Sequence, residues 1–239
     1  RVGEYCPVQL EKNALDIAKS LILFQNNISD FKGSFGECFE DAWQKVLPII
    51  KKNHADIIPS IFESALKVIT KPPEMAISSN PEQKFDVKAF IGDVDLGEKK
   101  VVIEKQKFNV NTSETEEYVI FMQIFTLILV ELKEHAVPYV ELTEKEGKRV
   151  LSYPNDDIRT AASKFFPTLI QIIKIGNPNQ LSMKLKEYLS ILIEACKQEK
   201  QNIVLASFLD STNNLLKDQG RLLNDTELQQ LFTELFQIF

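Results

Sequence analysis

The residues best placed to do chemistry sit together in "SYPNDDIRTAASKFFPTLIQIIK", Ser152 to Lys174. Asp156 and Asp157 are adjacent carboxylates, and Arg159 stands two residues further on. Paired acids beside a guanidinium are the raw material of general acid–base catalysis. The same residues also suit the first turn of a helix, where the macrodipole favours carboxylates. Glu116, Glu117 and Asp225 occupy equivalent places at the starts of other expected helices. A further use for such acids is a strip that pairs with the lysines of a bound peptide. Helix punctuation and peptide binding are compatible, because one helix start can serve both.

Other chemistries find less material. His54 and His135 are the only histidines, and neither has cysteine, histidine or carboxylate neighbours at metal-ligand spacing. The chain contains no GxxxxGK(S/T), GxGxxG or GxSxG pattern. No catalytic, metal or cofactor-binding residue is therefore assigned. Cys6, Cys38 and Cys196 are odd in number, widely spaced and without a CxxC pair, as in a protein of a reducing compartment. A net charge of -6 argues against a nucleic-acid footprint. The most apolar run, "YVIFMQIFTLILV" from Tyr118 to Val130, is too short to span a bilayer and fits a helix covered on most sides, so no membrane insertion is expected.

The elements that must carry these residues are helices. With 239 residues, 8 glycines and 10 prolines, the chain is long enough for a large core and poor in the turns of an all-β fold. Gly176 falls just past one helix, Asn177 caps the next and Pro178 opens it. Leu181, Leu185, Tyr188, Leu189, Leu192 and Ile193 then form one helical stripe. Asn224 and Glu227 make a capping box for the last helix, whose stripe is Leu228, Leu231, Phe232, Leu235, Phe236 and Phe239. Ser113 and Glu116 read as the cap of a helix over about Glu114–Glu134. Further helices are expected over about Pro7–Gln25, Phe35–Lys52, His54–Thr70, Val137–Leu151, Asp156–Lys174 and Gln201–Gln219. Trp43, with Phe35 and Phe39, fits a packed helix face.

Helix starts recur every 40 to 47 residues or so, the period of HEAT and armadillo units. The expected fold is all-α: a HEAT-repeat α-solenoid, a right-handed superhelix of antiparallel helix pairs. Four to five repeats are expected at roughly 7–52, 54–134, 137–175, 178–219 and 225–239, the last incomplete. One insertion at 71–112 joins the two helices of the second repeat, with room for a short β-hairpin around Asp95–Glu98. An insertion of that length is either functional or disordered. The chain starts at Arg1 and ends inside an apolar pattern at Phe239, and reads as a piece of a longer protein.

The order of local motifs resembles a known family. Leu47-Pro48 and Ile58-Pro59 are followed by Lys71-Pro72-Pro73-Glu74, then by Phe90-Ile91 and Leu96-Gly97-Glu98. Glu131-Leu132-Lys133-Glu134 and Asp157-x-Arg159-x-Ala161-Ala162 come next, ending at Pro167. This order is similar to the karyopherin-β (importin-β) family of HEAT-repeat nuclear import receptors, in its Ran-binding-protein-five (karyopherin-beta-three) branch. The likeness runs from about Leu47 to Ile175. Two features depart from it: a second proline after Lys71, and an insertion largely without an acidic run.

The resemblance implies a non-enzymatic receptor without cofactors that shuttles between cytoplasm and nucleus through the pore. Its implied partners are basic import-signal cargo on the concave face, Ran GTPase, whose GTP form releases cargo, and phenylalanine-glycine nucleoporins between outer helices. The inner helices would be Glu114–Glu134, Asp156–Lys174 and Gln201–Gln219. Glu116, Glu117, Asp156, Asp157 and Arg159 would then be candidate cargo or Ran contacts. The alternative is a HEAT-repeat scaffold of another class, such as a phosphatase regulatory subunit or a tubulin-cofactor-like assembly factor.

Overall fold

A computed structural model of the 239-residue chain describes residues 7–27, 34–73, 76–77, 108–109 and 112–238. The helices are α1 (Pro7–Asn27), α2 (Ser34–Asn53), α3 (Ile58–Ile69), α4 (Thr112–Glu131), α5 (Val140–Leu151), α6 (Asp156–Ser163), α7 (Phe165–Gly176), α8 (Leu181–Gln198), α9 (Asn202–Gln219) and α10 (Asp225–Phe236). Short 3₁₀ turns over Ala55–Ile57, Lys133–Tyr139 and Pro178–Gln180 lead into α3, α5 and α8.

Neighbouring helices pair in antiparallel fashion, and the pairs stack. Helices α2, α4, α6–α7 and α9 form one row, each touching the next, while α1 packs on α3 in the other row. That second row continues through α5, α8 and α10, tied by ion pairs between α5 and α8 and between α8 and α10. The molecule is a HEAT-repeat α-solenoid.

The core runs along the middle of the stack because both rows turn their stripes inward. The expected stripe of α8 is buried throughout, from Leu181 to Ile193, and α7 buries Phe165, Phe166, Leu169, Ile170, Ile172 and Ile173. Helix α4 is covered by α2, α3, α6 and α7, which accounts for its nearly uniform apolarity. Trp43 is fully buried and meets Phe39 edge-on at 6.3 Å, and Phe39 in turn meets Phe121 at 6.4 Å. The Phe35 side chain lies outside the described residues. Among the described residues, no helix is long and apolar enough to cross a membrane.

Local chemistry departs from the sequence expectation at four places. The helix expected over Asp156–Lys174 is bent at Lys164, dividing it into α6 and α7. Pro167 has no N–H for the carbonyl of Ser163, four residues back, and its ring crowds that carbonyl. Helix α4 starts at Thr112, so Ser113 lies inside it rather than before it, and Glu116 and Glu117 fall in its second turn. The helix expected from Val137 begins at Val140, after a 3₁₀ stretch that contains Pro138. Asn177 makes no side-chain cap.

By contrast, Asn155 accepts from the N–H groups of Asp157 and Ile158, and the capping box of Asn224 and Glu227 is complete. Helix α10 buries Leu231 and leaves Phe232 and Phe236 exposed. Gly176 ends α7, and a Cβ there would lie 2.5 Å from both methyls of Val137. Because Val137 is β-branched and stiff, Gly176→Ala forces helix and turn apart and costs about 1–3 kcal/mol, measurable by urea denaturation.

The insertion closes on itself at its base. Ala76 and Ile77 pair antiparallel with Asn109 and Phe108. The expected hairpin turn at Asp95–Glu98 lies outside the described residues. The N-terminal stem of the insertion is fixed to the helices beside it: Ile69 O accepts from the Tyr118 hydroxyl at 2.7 Å and from Arg149 Nη2 at 3.2 Å. The Tyr153 hydroxyl donates to Pro73 O at 2.6 Å.

Candidate binding surface

Helices α2, α4, α6–α7 and α9 present one continuous row, and the sequence candidates lie at the N-terminal ends of two of them. Glu116 is exposed on α4, while Glu117, one residue and therefore about 100° around the helix, turns towards the insertion stem. There it lines a 370 Å³ cleft with Lys71, Pro72, Pro73, Glu114 and Tyr118. Asp156 and Asp157 are exposed at the start of α6. The four acids therefore share an edge of the stack without forming one cluster.

Arg159 is held differently. Its Nε and Nη2 grip the two carboxylate oxygens of Glu199 at 2.8 and 3.1 Å. Nη1 donates to the carbonyls of Tyr153 and Pro154, both at 2.8 Å, and Nη2 also donates to Asp156 Oδ1 at 2.8 Å. All five guanidinium N–H groups are thus engaged, leaving none for a ligand. Glu199 Oε1 further accepts from the backbone N–H groups of Lys200 and Gln201, both at 2.9 Å. Burial alone would raise the Glu199 carboxyl, but Arg159 and these N–H groups bring it below its usual value. Arg159 is therefore a joint between consecutive helix pairs. Its partner escapes sequence reading because Glu199 lies ahead of α9, where no helix-phase argument places it.

On the other row, α5 and α8 are joined by a part-buried charge network centred on the buried carboxylate of Glu144. Glu144 accepts from Lys184 Nζ at 2.8 and 2.9 Å, from the Tyr188 hydroxyl at 2.9 Å and from Lys148. Glu187 bonds to both lysines. Burial pushes the Glu144 carboxyl up, but the bonds from Lys148, Lys184 and Tyr188 outweigh it and hold the group at about 2. Desolvation and Glu144 push the Tyr188 phenol up. The sequence carried a signal for this site: Glu144 and Glu146 flank, on opposite sides, the face of α5 that buries Thr143, Gly147 and Val150, and both are buried themselves. Carboxylates on a buried face must find partners.

Polar contacts on the first row repeat the theme. Ser163 meets Ser207 at 3.0 Å and Ser211 at 3.1 Å, and Gln171 donates to Asp218. A 620 Å³ groove opens between the turns that precede α6 and α9, floored by Leu151, Ile191 and Phe208 and edged by Tyr153, Arg159 and Glu199. Among the described residues, no group of histidine, cysteine and carboxylate side chains could hold a metal ion.

These stacked pairs define a HEAT-type solenoid, a class of fold built to present long surfaces. Within that class the chain has the fold of the karyopherin Kap121p. It superposes on Kap121p with a TM-score of 0.67 at 18% identity, covering 94% of this chain and 21% of that one. For Kap121p bound to Nup53p the TM-score is 0.67 at 17% identity over 93% and 21% of the two chains. For a Kap121p mutant in which two aspartates and a glutamate are replaced by lysine, it is 0.68 at 18% over 94% and 21%. The chain therefore spans about a fifth of the length of these structures. No family model matches the sequence.

Proposed function

We propose that this chain is a segment of a nuclear transport receptor that binds protein cargo and carries no catalytic site. The observation that supports this most is the fold shared with Kap121p over nearly the whole chain, a protein whose structures include complexes with Pho4p, Nup53p and Ste12p. In this reading the described helices make up four repeats and part of a fifth, and the row α2, α4, α6–α7, α9 is the inner face. Glu116, Glu117, Asp156 and Asp157 lie where they can pair with the lysines of a basic import signal, while Arg159 serves as a joint. Ran-GTP displaces the cargo, phenylalanine-glycine nucleoporins dock on the outer row, and the receptor moves between cytoplasm and nucleus.

Reversing Glu116, Glu117 and Asp157 to lysine places like charges against such a cargo. Affinity for a lysine-rich signal peptide is expected to fall at least about a hundredfold at low salt, with the helical circular dichroism unchanged. Unchanged affinity would reduce these acids to helix punctuation. The receptor role as a whole is tested by Ran-GTP binding to the full-length protein. Its absence would favour a HEAT scaffold of another kind.

A further inference from the structure

We propose that the C-terminal edge of the row α2, α4, α6–α7, α9 is a second binding surface, which takes an acidic segment carrying apolar side chains. The helices of this row run parallel. Phe39 meets Phe121 in the first halves of α2 and α4, and Lys51 reaches Glu131 O and Glu134 at their ends. One step further on, Arg159 meets Glu199 at the helix starts and Gln171 meets Asp218 at the helix ends. All the C-terminal ends of the row therefore lie along one edge, opposite the edge that carries Glu116 and Asp157.

The exposed side chains show what each helix presents. Residues seven apart return to within about 20° of the same face. On α4 these are Glu116, Gln123 and Val130, and on α9 Ile203, Asp210 and Lys217, all exposed. Along α2 the exposed face runs from Asp41 through Pro48 to Lys52, and on α7 it ends in Lys174 and Ile175. The row thus changes along its helices from carboxylates to a mixture of lysines and apolar side chains.

Lysines in a last turn complement the helix dipole, and that alone accounts for their positions. It does not account for what surrounds them. Among the described residues, Lys52, Lys174 and Lys217 make no ion pair and no side-chain hydrogen bond. Acids on the same edge are engaged elsewhere, Glu134 by Lys51 and Asp218 by Gln171. On the opposite row, by contrast, Lys148, Lys184, Lys186 and Lys197 all have carboxylate partners. Between the free lysines stand Val130 and Ile175, 41% and 51% exposed near the ends of α4 and α7. Cation and apolar side chain alternate along the edge.

That alternation defines the partner. Packed helices lie about 8–10 Å apart, so Lys52 to Lys217 spans roughly 24–30 Å over three steps. An extended segment covers that span in about seven to nine residues, at about 3.3 Å each. Its carboxylates meet the lysines, and its apolar side chains cover Val130 and Ile175. A nucleic acid suits the edge less, because widely spaced cations leave most phosphates unmatched and the net charge of -6 repels a polyanion. Neither a basic cargo nor Ran is needed for this surface to exist.

The test is fluorescence anisotropy of the full chain with two labelled ten-residue peptides, one alternating Glu and Leu, the other Glu and Ser. At low salt the Glu/Leu peptide is expected to bind at least about fivefold more tightly than the Glu/Ser peptide, and to weaken as salt rises. Lys52→Glu, Lys174→Glu and Lys217→Glu together are expected to lower its affinity at least about thirtyfold, with the helical circular dichroism unchanged. Val130→Ser combined with Ile175→Ser is expected to abolish the preference between the peptides. Should the triple variant lose helicity, Lys174→Glu alone is read instead, with an expected loss of about threefold. The surface is ruled out by a parent that binds neither peptide, by equal binding of the two, or by unchanged affinity in a folded lysine variant. Tighter binding of a ten-nucleotide RNA than of the Glu/Leu peptide overturns it as well.

Discussion

Glu144→Ala lowers the stability of the chain by about 3 kcal/mol, the largest loss expected from any single charged residue. The carboxylate is 7% exposed and is the point where Lys148, Lys184 and Tyr188 converge. Removing it leaves the Tyr188 hydroxyl buried without its acceptor and leaves two mutually repelling lysines with only Glu187 to balance them. Replacing one partner of a buried pair costs more than the pair itself contributes, because the desolvated remainder goes uncompensated. A urea titration of wild type and variant measures the difference, and Lys184→Met combined with Glu144→Met should recover part of it.

The same group makes stability depend on pH, with a definite sign. The Glu144 carboxyl is held at about 2 in the folded chain against an ordinary value of 4.5. A depressed carboxyl stabilises the fold above its unfolded value and loses that contribution as pH falls through the folded one. Stability from this residue is therefore complete above about pH 5 and declines between there and pH 2, by a total of about 3 kcal/mol. In Glu144→Gln that part of the acid sensitivity disappears.

Phe165→Ala is expected to cost about 3–5 kcal/mol. The ring is fully buried and meets Phe125 of α4 edge-on at 5.8 Å. It also closes over Gly147 of α5, where a Cβ would lie 3.3 Å from its edge. One side chain at the bend between α6 and α7 thus plugs the space shared by three helices. Deleting it empties a site whose walls are themselves fixed by packing, so collapse recovers little. The loss also falls on the interface between helix pairs, and in stacked architectures such interfaces carry the cooperativity. Calorimetry is expected to show a single parental transition broadening or dividing in two.

Helices α1, α2, α3, α8, α9 and α10 were legible within a few residues from apolar spacing and helix-stop signals, although Asn177 makes no cap ahead of α8 and Phe232 and Phe236 of the α10 stripe lie exposed. Asn155 and Asn224 show this at the level of single hydrogen bonds, since their side chains cap the helices that their sequence context predicts. What was not legible depends on rotation and on distance along the chain. Pro167 was visible, yet a helix can kink at a proline without ending, so the division at Lys164 followed only from the fold. Arg159 looked like a candidate contact because its partner lies 40 residues away. Glu116 and Glu117 looked like a pair because adjacent letters hide the turn of the helix between them.

The polar bonds that join α5–α7 to α8–α9 share a property with consequences for how the chain acquires its shape. Lys148–Glu187, Arg159–Glu199, Ser163–Ser207 and Ser163–Ser211 span 39, 40, 44 and 48 residues. Across the insertion, Arg149–Ile69 and Tyr153–Pro73 each span 80. No stretch has to wait for a distant one: each pair of helices can dock on its predecessor as soon as it is synthesised, and low contact order of this kind favours rapid folding. The exception is the junction after α3, where the growing chain must extrude the whole insertion before α4 arrives to cover the apolar face of α3. On the ribosome, that interval is when the nascent chain most needs a chaperone.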